Sequence, residues 1–143
     1  MERKAFLKTC GFACLSTSVL AALLESCNST KSVSGTIDQS DLVIPTSSFE
    51  SGKDTFKKYI VIHNDLLKYP ICVYRFNEKQ YTALLMRCTH QGAELQVFGD
   101  RLQCPAHGSE FSNKGTVENG PADSNLRTFP VTIQNDQLYI SLK

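Results

Sequence analysis

The chain reads as an all-β protein, a stack of antiparallel sheets with a small subdomain of two loops inserted between strands. Three observations predict this. Short runs rich in β-branched and aromatic residues succeed one another along most of the chain, and turn-forming pairs stand between several of them. Beyond the N-terminal segment, no apolar set repeats at helical spacing over a window of about eleven residues. Regular short strands of this kind imply sheets packed on sheets. With 143 residues there is room for one domain, and 41% hydrophobic against 20% charged residues suits a chain with a genuine core.

The first element, residues 1–27, is of a different kind. Arg3-Lys4-Ala5-Phe6-Leu7-Lys8 is basic, and residues 9–24 are uncharged, apolar or small. A bilayer-spanning helix needs about 20 apolar residues, so the run suits the middle of an export signal better than a span. The basic motif resembles a twin-arginine signal with lysine as its second basic residue. Export of that type carries folded proteins. Leu24-Glu25-Ser26-Cys27 stands where a bacterial lipoprotein is cleaved, and Cys27 would then carry lipid; an uncleaved short N-terminal anchor and cleavage nearby without lipid are the other readings. The expectation is export across the cytoplasmic membrane, with the protein periplasmic or membrane-tethered by lipid on Cys27.

Residues 28–40 are rich in Ser, Thr, Asn and Gly, a composition that reads as a flexible tether, with a reach on the order of 20 Å. The domain proper is expected over 41–143. Its strands are expected at Leu42 to Ile44, Phe56 to Ile62, Ile71 to Phe76, Tyr81 to Met86, Leu95 to Phe98, Arg101 to Gln103, Arg127 to Gln134 and Leu138 to Leu142. Asn77-Glu78, Gly99-Asp100 and Asn135-Asp136 sit where hairpins reverse.

Charge excludes one class of partner. The chain has 15 basic and 14 acidic residues; residues 1–27 hold three and two of them, leaving twelve of each sign. A neutral domain without a basic run has nothing to neutralise phosphates, so no nucleic acid is expected. His63 reads as a strand-end histidine, and Lys57-Lys58 as a solvated strand edge.

The chemistry lies between the strands. Cys88-Thr89-His90 and Cys104-Pro105-Ala106-His107 each put one thiol and one imidazole into a short loop. Two thiolates and two neutral imidazoles suit either a tetrahedral zinc or a 2Fe-2S cluster, and spacing alone leaves both open. Of the six cysteines, Cys10 and Cys14 lie in the export segment and Cys27 at its border. Cys72, in the apolar run 71–76, reads as a buried thiol acting as a small hydrophobe.

The residues around the loops separate the two chemistries. Cys88-Thr89-His90-Gln91-Gly92-Ala93-Glu94-Leu95, Cys104-Pro105-Ala106-His107-Gly108-Ser109-Glu110-Phe111, Gly115 and Gly120-Pro121-Ala122 together resemble the Rieske iron-sulfur family over residues 40–143. The resemblance implies a Rieske-like fold and a 2Fe-2S cluster, with Cys88 and Cys104 on an inner iron and His90 and His107 on an outer one near the surface. It implies one-electron transfer, with a redox protein as donor and another as acceptor, by a free-standing carrier or the small subunit of a redox complex. Exchanging two thiolates for imidazoles removes two negative charges from the centre, which raises its potential. Ser109 matches the position whose hydroxyl hydrogen-bonds the cluster. Phe111 stands where high-potential members have a tyrosine, and Gly92, Ala93 and Ala106 occupy the region where they have a bridging cysteine pair. The implied potential is therefore low to intermediate for the family. Gly92, Gly108 and Gly115 either permit turns or make room for the cluster. The alternative is a structural zinc module with the same four ligands and no redox role. An oxygenase is not expected, since 143 residues leave little room for a second domain with a mononuclear iron site, and export disfavours feeding electrons to a cytoplasmic one; intact ligands argue against a vestigial surface lipoprotein.

Overall fold

The computed structural model describes residues 32–143. The expected export segment, with Cys10, Cys14 and Cys27, and the first residues of the expected tether lie outside the described part.

The largest sheet has five strands in the order β1 (Ser32–Ser34), β6 (Tyr59–His63), β7 (Ile71–Arg75), β8 (Tyr81–Leu85) and β13 (Thr128–Phe129). Its β1–β6 pair is parallel and the others are antiparallel. A four-stranded sheet runs β14 (Val131–Gln134), β15 (Gln137–Ser141), β3 (Asp41–Pro45) and β2 (Thr36–Asp38). A second four-stranded sheet, which bears the ligand loops, runs β12 (Val117–Asn119), β11 (Glu110–Ser112), β10 (Arg101–Gln103) and β9 (Gln96–Phe98). A small hairpin of β4 (Glu50–Gly52) and β5 (Thr55–Phe56) follows a 3₁₀ turn at Thr46–Phe49. Among the described residues no helix is long and apolar enough to cross a membrane.

The five-stranded sheet is the middle layer, and its sequence says why. In Ile71-Cys72-Val73-Tyr74 all four side chains are buried, because alternate ones enter different cores. Ile71 and Val73 join Ile60, Ile62, Leu42, Ile44, Phe49, Leu138 and Ile140 on one side. Cys72 and Tyr74 join Val61, Leu84, Leu95, Leu102, Phe111 and the ligand thiols Cys88 and Cys104 on the other. A strand covered on both faces reads as a continuous apolar run rather than an alternation. Each fully buried aliphatic side chain contributes about 1.5–3 kcal/mol of transfer free energy, so the site shares a substantial core with the sheet beneath it.

Several expected runs divide. Phe56 to Ile62 is interrupted at Lys57-Lys58, which is not a solvated strand edge. The Lys57 N–H donates to the Phe49 carbonyl at 2.7 Å and its ammonium to the Ser48 carbonyl at 3.1 Å, while exposed Lys58 lies 3.9 Å from Asp100. Arg127 to Gln134 is broken at Pro130, which has no N–H for a ladder; the chain there leaves one sheet and enters the next. The expected tether also ends earlier than residue 40. Ser32–Ser34 pairs with β6 and Thr36–Asp38 with β3, so the ordered domain reaches back at least to Ser32. Val33 and Ile37 are half-buried against the first core, and Gly35 lies so close that an added Cβ would stand 2.7 Å from both Ile62 and Leu42. Two apolar side chains in a polar stretch left too faint an alternation for composition to register.

Candidate metal centre

Two loops of the same construction carry the four expected ligands. In the first, the Gly92 N–H donates to the Cys88 carbonyl at 2.8 Å and the Cys88 N–H to the Ala93 carbonyl at 2.8 Å. In the second, the Gly108 N–H donates to the Cys104 carbonyl at 3.0 Å and the Cys104 N–H to the Ser109 carbonyl at 2.8 Å. Each cysteine thus closes its own loop twice, donating through its N–H and accepting at its carbonyl. The return needs a left-handed residue at the same step, and Gly92 and Gly108 supply it with φ of 78° and 76°.

The loops bring like to like. The Cys88 and Cys104 side chains hydrogen-bond each other and are 1% and 2% exposed. The His90 and His107 rings stand edge to face with centroids 5.0 Å apart. His107 is exposed and His90 half-buried, so thiols lie inward and imidazoles outward. Burial pushes the Cys104 thiol up, but hydrogen bonds from the N–H groups of His107 and Ala106 and from Cys88 outweigh it and hold the group below the usual thiol range. The Nδ1 of His90 is buried with no hydrogen-bond partner. A buried nitrogen lone pair left without a donor costs free energy, and a metal ion is what would satisfy it. Two adjacent thiols, two adjacent imidazoles and an orphaned ring nitrogen suit a 2Fe-2S group with its thiolates on one iron and its imidazoles on the other. Among the described residues, no three His, Cys, Asp or Glu side chains are grouped as one metal ion would need.

The segment 120–124 fastens both loops. The hydroxyl of Ser109, fully buried, accepts the Ala122 N–H at 3.2 Å, which leaves its own proton available to donate. The Thr89 hydroxyl donates to the Ser124 carbonyl at 2.7 Å. Gly120, at φ 95°, passes so near Ser109 that a Cβ there would stand 2.5 Å from its Cα and 2.8 Å from its nitrogen. Asn113 to Asn125, expected as irregular chain beside the loops, is partly the strand β12, and its later half is this clamp. Cys72, Cys88 and Cys104 are all free thiols, so hydrogen bonds through 120–124 join the loops where a disulfide would otherwise do so.

Sequence reasoning missed Thr89 and Tyr69. The Tyr69 hydroxyl donates to the Gly92 carbonyl at 2.8 Å, bracing the first loop from the β6–β7 connection. These contacts span 35 and 23 residues of sequence, and no local pattern announces them. Phe111 is wholly buried in the core beneath the thiols, and Cys72 likewise, its thiol pushed up by burial. His63 is exposed at the end of β6, as expected.

Comparison with known proteins agrees with this geometry. Residues 42–130, more than half of the chain, match the family described as Rieske [2Fe-2S] domain. The chain is 35% identical over 60 residues to cytochrome b6-f complex iron-sulfur subunit 2 of Nostoc sp. (strain PCC 7120), a stretch that covers 41% of this chain and 34% of that protein. The match therefore spans about a third of that relative's length. Among solved structures, the plasma membrane Rieske protein PetC3 from Synechocystis PCC 6803 is 26% identical with a TM-score of 0.51, covering 59% of this chain and 86% of that one. A chain from the complex of reduced oxygenase and oxidized ferredoxin in carbazole 1,9a-dioxygenase is 25% identical with a TM-score of 0.55, covering 74% and 96%. The match to a 2Fe-2S domain gives the zinc module no support.

Proposed function

Because the chain belongs to the Rieske [2Fe-2S] domain family, whose cofactor is a 2Fe-2S cluster serving one-electron transfer, we propose that it is an exported single-electron carrier. Cys88 and Cys104 would hold the inner iron and His90 and His107 the outer one. The observation that carries this is the pairing of thiol with thiol and imidazole with imidazole across the two loops. When bound, the cluster supplies a centre that accepts and returns one electron at modest reorganisation.

The chain's own residues do the rest. The inner pair sits in the core that Leu95, Leu102 and Phe111 complete, which excludes water from the sulfur side. The exposed edge of His107 gives electrons a short way out to a partner. Ser109 holds its hydroxyl in place through the Ala122 N–H and would donate to the cluster, favouring its more negative, reduced state. Phe111 offers no hydroxyl, which keeps the potential in the lower part of the family range.

Outside the cluster, the reading is of a domain delivered across the cytoplasmic membrane and held there through its N-terminal segment by lipid on Cys27 or by a short anchor. Donor and acceptor are redox proteins met on that side. The curated relatives matched here are subunits of a redox complex, which favours a small subunit over a free carrier.

Purified protein tests the proposal directly. Two irons and two sulfides per chain, with a paramagnetic resonance signal appearing on reduction, are expected. One zinc without sulfide overturns it. A midpoint near the top of the family range, about +300 mV, overturns the assignment of low-to-intermediate potential. Mass analysis of the mature N-terminus and fractionation of the native membrane test the lipid on Cys27, where an unmodified, uncleaved and cytoplasmic chain would sink the export reading.

A further inference from the structure

We propose that Lys68, Tyr69 and Arg87 form a basic docking patch on the flank of the first ligand loop, and that it receives an acidic redox protein. Two cations share one ring: the Lys68 ammonium stands 5.5 Å and the Arg87 guanidinium 6.0 Å from the centre of Tyr69. Both cations are exposed. Such contacts hold long side chains in place without cancelling their charge.

The patch is joined to the site. The Tyr69 hydroxyl donates to the Gly92 carbonyl at 2.8 Å, and Arg87 Nε would stand 3.2 Å from a Cβ added at Gly92. A protein seated on these residues touches, at Gly92, the loop that carries His90 two residues earlier.

The two loops differ in how their neighbouring cations are paired. Beside the second loop, the Arg101 guanidinium is neutralised by Glu110 at 3.0 Å, and Gln103 donates to the other oxygen of that carboxylate. Beside the first, no such partner is met. Among the described residues the ion pairs are Lys58–Asp100 and Arg101–Glu110. Glu94 bridges Arg87 through the backbone and Asp65 lies three residues before Lys68; both are exposed, and neither forms an ion pair. The domain beyond residue 27 carries twelve charges of each sign, so steering has to come from a local patch of this kind rather than from net charge. The proposal rests on electron transfer through the cluster and is independent of membrane attachment.

The test uses the full chain with its cluster, reduced and mixed rapidly with cytochrome c in two forms: native, with a lysine-rich rim, and succinylated, with that rim made acidic. One electron leaves the cluster and converts ferric haem to ferrous, which reads the rate. At low ionic strength the succinylated form is expected to react faster than the native one, with the advantage fading as salt rises. Lys68→Gln with Arg87→Gln lowers the succinylated rate roughly threefold to tenfold and leaves the native rate equal or higher. Lys68→Glu alone, at an exposed position remote from the core, diminishes the preference should the Arg87 variant lose its cluster. An equal change toward both acceptors, or none, overturns the proposal. So does a variant that keeps its kinetics but no longer sediments with vesicles of anionic phospholipid, since the patch would then face a membrane. A protein with no resonance signal on reduction would instead defeat the electron-transfer reading itself.

Discussion

Ser109 is the side chain whose chemistry is easiest to isolate. It is fully buried, its oxygen is fixed by the Ala122 N–H, and its proton is free to donate. Ser109→Ala removes one hydrogen bond that favours the reduced state, and the midpoint is expected to fall by about 60 mV, equivalent to ~1.4 kcal/mol for one electron. Voltammetry checks this, and an unchanged midpoint would show that the hydroxyl does not reach the cluster. Cys72 makes a different prediction. Burial raises its thiol in the fold, so the unfolded chain loses that proton first as pH rises. Its contribution to stability is complete below about pH 8.5 and is lost above it, at about 1.4 kcal/mol per pH unit. Between about pH 8.5 and 10, denaturant curves of the native protein should decline more steeply than those of Cys72→Ala, by that slope. Parallel declines would mean that the thiol is not sealed in the core. The placing of Cys88 and His90 in one short loop and of Cys104 and His107 in another was legible from residue types and local order, because each loop is a self-contained turn. Thr89 and Tyr69 were not, because their partners are distant in sequence.

At the scale of elements, the segment 120–124 does for the two loops what a covalent bridge would do. It bonds Ser109 in one and Thr89 in the other, and it can approach because Gly120 has no side chain. Gly120→Ala would drive a carbon to 2.5 Å from the Ser109 backbone at φ 95°, a conformation that already costs a non-glycine residue about 1–2 kcal/mol. Adding the displacement of backbone, the loss should be at least ~2 kcal/mol, read as a lower melting temperature and faster bleaching of the visible cluster bands. Thr89→Val keeps the shape and removes the hydroxyl. It should cost about 1 kcal/mol and hasten cluster loss to a chelator while leaving the fold's far-ultraviolet signal intact; bleaching at the native rate would show the clamp to be idle. Strand positions were legible wherever an apolar run met a turn pair, as at Tyr81–Leu85 or Asn135-Asp136, the latter with φ of 49° and 59°. They were hidden where a three-residue strand has no apolar run with a turn pair beside it, as at Ser32–Ser34, Glu110–Ser112 and Val117–Asn119. Those strands exist because neighbours pair with them, and pairing is a tertiary fact.

The molecule as a whole has two cores on either side of one sheet, and only one of them contains the ligand thiols. Removing the cluster leaves two buried thiols and an orphaned imidazole nitrogen in that core, but leaves the other untouched. Hydrogen exchange on cluster-free protein is therefore expected to quicken in β9 to β12 and the two loops, while β3, β15 and the Ile60 and Ile62 positions remain protected. Uniform loss of protection would mean that the cores fold as one. That both faces of the middle sheet are covered could be anticipated from the unbroken run at 71–74, whereas the order of strands across the sheets could not, since it depends on crossovers that leave no local mark.

The leading strand also has a mechanical meaning. It runs parallel to β6 at the rim of the middle sheet, so a tug arriving from the front of the chain loads three backbone rungs in shear at that rim. The loops that carry Cys88, His90, Cys104 and His107 are fed from other strands and lie outside that line of pull, so a load on the leading strand does not pass through them.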